Sequence, residues 1–123
     1  MIKMTVDEAY VFDYYSILKL KLENRYIPES VIKITESDLV EEIGKEKFET
    51  VMSSDEFSDL LAANRLTFDA VDKAKTDDVP ASFVDRCNYQ RMLAKKALQS
   101  RFFSSNLTET KIGYDKYSDG EGQ

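Results

Sequence analysis

The sequence predicts an all-α fold, an up-and-down bundle of about four helices, from three observations. Of the 123 residues, 42% are hydrophobic and 33% charged while 4 are Gly and 2 are Pro, a balance that suits long helices rather than many short strands joined by turns. Apolar residues recur at intervals of three and four through most of the chain. The stretches between these periodic segments are short, which makes successive helices antiparallel neighbours. One domain over residues 1–103 follows, since a chain of this length can bury one ordinary core without staples. Residues 104–123 lose the apolar period, are dominated by Ser, Thr, Asp, Glu and Gly, and read as a disordered acidic tail.

The first helix is expected from Thr5, which with Glu8 spells a T-x-x-E capping box, to about Asn24. Its packed face reads Val6, Tyr10, Tyr14, Ile17 and Lys21, widened by Val11, Leu18 and Leu22, with Asp13 at its flank. Pro28 breaks helicity, and the short, β-branched and alternating run over 31–35 reads as an extended connector. Glu36 and Asp38 suit the positive end of a second helix carrying Leu39, Val40, Ile43, Phe48, Val51 and Met52, weakened in its middle by Gly44. Ser53 and Ser54, followed by Glu56, cap a third helix over 55–75, with the stripe Phe57, Leu60, Leu61, Asn64, Phe68 and Val71. After Asp77 and Asp78, Pro80 starts a fourth helix ending near Phe103. One face of it holds Phe83, Val84, Cys87, Arg91, Ala94, Leu98 and Phe102, and Tyr89, Met92 and Leu93 lie on the other side. Such all-round apolarity places that helix at the bundle centre or in a subunit interface.

Composition also excludes chemistry. With no histidine, the chain lacks imidazole triads, His-ligated metals and the side chain best suited to proton transfer near pH 7. A net charge of −6 argues against broad binding to nucleic acid or an anionic membrane, both of which want a basic surface. The one cysteine, Cys87, forms no internal disulfide and fits a reducing compartment. No apolar run approaches the roughly 20 residues of a membrane span, and the first residues lack a signal-peptide pattern, so a cytoplasmic location is expected.

Three helices nevertheless carry a polar residue inside the face that should pack: Lys21, Asn64 and Arg91. Burying such a group alone costs several kcal/mol, so each needs a partner. Around them lie Asp13, Asp72, Asn88 and Lys95 at neighbouring helical positions. If the charged members converge, Lys21, Arg91 and Lys95 exceed Asp13 and Asp72 by one positive charge. With the fork of Arg91 and the amides of Asn64 and Asn88, that would suit a phosphate or carboxylate. The plainer alternative is a structural network, with Lys21 reaching past the apolar face and Arg91 paired with Asp72 or Asp13.

Three segments carry a resemblance. Asp13-Tyr14-Tyr15-Ser16-Ile17-Leu18-Lys19-Leu20-Lys21 resembles D-K-[IL]-[ST]-I-L-x-[IL]-K. Asn64-Arg65-Leu66-Thr67-Phe68-Asp69-Ala70-Val71-Asp72 is similar to N-x-x-L-W-x-x-E-D, and Asn88-Tyr89-Gln90-Arg91 with Lys95 to N-x-x-R-x-x-x-K. These are motifs of an uncharacterised bacterial helical family associated with surface-polysaccharide gene clusters. Tyr14, Phe68 and Val71 stand where its pattern has Lys, Trp and Glu. The resemblance implies a shared polar centre and brings no reaction with it.

A second pattern, Glu46-x-x-Glu49 with Asp69-x-x-Asp72, resembles the paired acidic motifs of all-helical nucleotide pyrophosphohydrolases, whose carboxylates hold Mg²⁺ between two helices. Among 23 acidic residues such pairs arise by chance, and Asp69 points away from the stripe of Phe68. The function expected is therefore a small non-catalytic domain for binding or assembly, without cofactor, which takes an anionic small molecule or an acidic group of a protein partner. The alternatives are a structural subunit of a homo-oligomer and a Mg²⁺-dependent hydrolase using Glu46, Glu49, Asp69 and Asp72.

Overall fold

The computed structural model describes residues 1–24, 26–76 and 79–104. The tail beyond Ser104, and Asp77 and Asp78, lie outside the described residues. Among these there are five helices and no strand: α1 (Glu8–Glu23), α2 (Glu29–Ile43), α3 (Lys45–Met52), α4 (Asp55–Ala74) and α5 (Ala81–Phe102). No helix among them is long and apolar enough to cross a membrane.

Two boundaries differ from expectation for clear reasons. Residues 31–35 are helical, because Pro28 is the N-cap of α2 rather than a break upstream of a connector. The β-branched residues there cost a few tenths of a kcal/mol each in helix propensity. Burial of Ile32, Thr35 and Leu39 at helical spacing outweighs that cost. The expected second helix is in fact two, α2 and α3, divided at Gly44. With φ +89° and ψ 151°, Gly44 takes a backbone conformation open almost only to glycine, and the chain turns there.

The start of α1 is a third correction. Asp7 is its N-cap and makes no side-chain cap bond, and Thr5 lies before the helix, exposed. The free N–H of Ala9 instead donates to Oε1 of Gln99 on α5, at 2.8 Å, while Nε2 of Gln99 donates to Glu8 at 2.9 Å. The local capping box is thus replaced by a cap from the other end of the chain. The expected cap of α4 does form, with Ser54 Oγ accepting from the Phe57 N–H at 3.1 Å.

Contacts along the helices set their directions. Arg101 near the end of α5 pairs with Glu56 near the start of α4 at 2.7 Å, so the two are antiparallel. Gln99 meeting Glu8 makes α5 antiparallel to α1 as well. Helix α2 returns along α1, where the Tyr15 hydroxyl donates to Glu36 at 2.7 Å. The short α3 buries Phe48 and Val51, and Phe48 joins the aromatic cluster. Phe12, fully buried, lies 6.2 Å from Phe48, 6.1 Å from Phe57 and 6.2 Å from Phe103 between ring centroids. Burial of one such ring contributes about 1.5–3 kcal/mol, so this cluster helps to anchor α1.

The packed face of α1 is not the one expected. Ala9, Phe12, Asp13, Tyr15, Ser16, Leu18 and Leu20 are buried, whereas Tyr10 and Tyr14 stand 46% and 49% exposed. Aromatic and aliphatic side chains surround this helix, so periodicity alone does not choose its face. The small Ala9 and Ser16 lie on the side that packs.

Candidate functional site

The turn of α1 that buries Phe12 toward the aromatic cluster carries Asp13 about 100° further round, where it faces α4 and α5. Asp13 is 4% exposed. An ionised carboxylate at that depth needs several donors, and it has them. Its Oδ1 accepts from Nδ2 of Asn64 at 2.8 Å and from Nε of Arg91 at 3.1 Å. Its Oδ2 accepts from a terminal guanidinium nitrogen of Arg91 at 2.7 Å, with the Lys95 ammonium at 3.8 Å. The Arg91 contact is the bidentate fork in which two parallel N–H groups grip one carboxylate.

Ser16 completes the arrangement. Its Oγ donates to the Asp13 backbone carbonyl at 2.7 Å and accepts from Asn64 Nδ2 at 2.6 Å. Both acceptors of Asn64 Nδ2 lie on α1, so one amide nitrogen, itself buried, joins α4 to two successive turns of α1. Lys95 lies one turn beyond Arg91 on α5, with its Nζ 5.5 Å from the centre of the Tyr10 ring, where the ring face attracts the cation. Among the described residues, every buried side-chain nitrogen and oxygen has a hydrogen-bond partner.

Of the seven residues expected at this centre, the fold brings together Asp13, Asn64, Arg91 and Lys95. Three lie elsewhere. Asp72 sits near the end of α4, exposed, 4.0 Å from Lys75. Asn88 is half-buried on α5 and turns its Nδ2 back onto the Val84 carbonyl at 3.2 Å. Lys21 is half-buried two turns beyond Asp13 and is not among that carboxylate's partners; it follows Tyr10 and Tyr14 along the outer side of α1. The expected surplus over five charges therefore does not arise from that set. Ser16 is the member that sequence reasoning missed, since a serine in an apolar stripe looks like a small packing residue.

The acidic pairs considered for Mg²⁺ fall on α3 (Glu46, Glu49) and α4 (Asp69, Asp72), and all four are exposed. No group of three or more His, Cys, Asp or Glu side chains among the described residues is arranged to hold a metal ion. Cys87 is buried in α5.

Elsewhere, Tyr15 is 2% exposed and its hydroxyl is pushed well above the usual phenol range. Burial is the main cause, followed by the bond to Glu36 and the charge of that carboxylate. Hydrogen bonding from Arg65 holds the Glu23 carboxyl below its ordinary value, and the same contact from Arg101 does so for Glu56. Both pairs sit on the surface and contribute little to stability.

Compared with models of protein families, with curated proteins and with solved structures, the chain finds no match. Within the three motif segments, Tyr15 and Thr67 depart from the motif pattern too, standing where it has Ile or Leu and Leu. Of the positions at which these segments resemble the motifs, Asp13, Ser16, Asn64, Arg91 and Lys95 meet in the fold, whereas Lys21, Asp72 and Asn88 do not join them.

Proposed function

We propose that this chain is a small non-catalytic helical domain that acts in binding or assembly, and that its polar centre is an internal clasp. The observation that carries this reading is the bidentate contact of Arg91 with Asp13. The fork that would receive an outside phosphate or carboxylate grips a carboxylate of the chain itself. The same contact joins α1 to α5, and Asn64 ties α1 to α4, so three helices meet at the one carboxylate of Asp13. In this reading the buried network specifies one arrangement of the core, the role best attested for such groups.

Assembly finds support in α5. It buries Cys87 and Leu98, while Phe83 remains 44% exposed and Tyr89, Met92 and Leu93 are half-buried. Apolar side chains left partly open along one helix would be covered if a partner surface or a second copy lay against them.

The second reading, a site for an anionic small molecule or an acidic group of a partner, is favoured by the residual exposure of the Arg91 side chain, 28%. A thermal-shift screen separates the two, because a ligand that binds the folded state raises the melting temperature by mass action. The clasp reading expects no shift with phosphate, nucleotides, nucleotide sugars or sugar phosphates at millimolar concentration, and a lower melting temperature in Arg91→Met. A saturable shift with one of these anions, lost in Arg91→Met, establishes the ligand site instead.

A further inference from the structure

We draw no further inference here: the strongest candidate, the groove of about 480 Å³ between α1 and α2 with Tyr15, Leu22 and Ile32 in its lining, has rim carboxylates Glu23, Glu29 and Glu36 that already meet Arg65, Lys33 and the Tyr15 hydroxyl, and nothing in the structure shows what covers it.

Discussion

Asp13 and Arg91, 78 positions apart, meet through two hydrogen bonds of 3.1 and 2.7 Å, one member almost wholly buried and the other with 28% of its side chain still exposed. That asymmetry predicts unequal mutations. Arg91→Met leaves a buried carboxylate with Asn64 and Lys95 alone, and should cost about 3 kcal/mol. Asp13→Asn retains an acceptor for the guanidinium, which is also near enough to solvent to be partly hydrated, and should cost about 1–2 kcal/mol. Urea unfolding with an unchanged dependence on denaturant gives both values. The reverse order would show that Arg91, not Asp13, is the buried charge in solution.

Much of this centre was legible before the fold was known, and its omissions have physical causes. Asn64 and Arg91 stood out because an amide and a guanidinium interrupt apolar stripes at helical spacing, and both reach Asp13. Lys21 followed Tyr10 and Tyr14 onto the wrong side, because α1 is apolar around its circumference and its period fits several faces. Asp72 belongs to the stripe of α4 by spacing, yet it lies near that helix's end and is exposed. Asn88 donates to a carbonyl of its own helix, an option open to short amide side chains. For the fold, the helical character and the Ser54 cap were readable. The helix over 31–35 was obscured by β-branched residues, although Ile32, Thr35 and Leu39 already show its spacing. The Gln99 cap has no local signal at all, since its two halves are 90 residues apart.

The cap on α1 predicts a contrast between two polar residues. Gln99→Ala removes the acceptor of the Ala9 N–H and the contact to Glu8, and should lower stability by about 1 kcal/mol. Thr5→Ala should change it by less than about 0.5 kcal/mol, as for surface positions generally. Amide hydrogen exchange should show faster exchange at Ala9 in the first variant alone. Equal losses in both would restore the local capping box.

Gly44 separates α2 from α3 at φ +89°, with open space around the position a side chain would take. A clash therefore cannot be the objection to Gly44→Ala, and backbone strain remains. The substitution should cost about 1–3 kcal/mol, read from thermal or urea unfolding. A neutral or stabilising effect would mean that the two helices join through a different backbone conformation.

Tyr15 predicts a limit on alkaline stability. Its ionisation is raised in the folded state by burial and by Glu36, so the unfolded chain loses this proton at lower pH than the folded one. The contribution is fully present below the ordinary tyrosine value of about 10 and is lost as pH rises through and above it. In a spectrophotometric titration of the seven tyrosines, one should ionise only together with loss of helical circular dichroism, and Tyr15→Phe should abolish that late step. Ionisation of all seven with the helices intact would contradict the buried hydroxyl.

The central claim, that the chain's own carboxylate and guanidinium form a structural clasp between α1 and α5, is tested most directly by a double-mutant cycle. Unfolding free energies are measured for the native chain, Asp13→Asn, Arg91→Met and the double variant. A clasp predicts a coupling of about 1–3 kcal/mol, with the double variant losing less than the sum of the two singles. Losses that add to within about 0.3 kcal/mol would mean that the two residues act independently, and would contradict it.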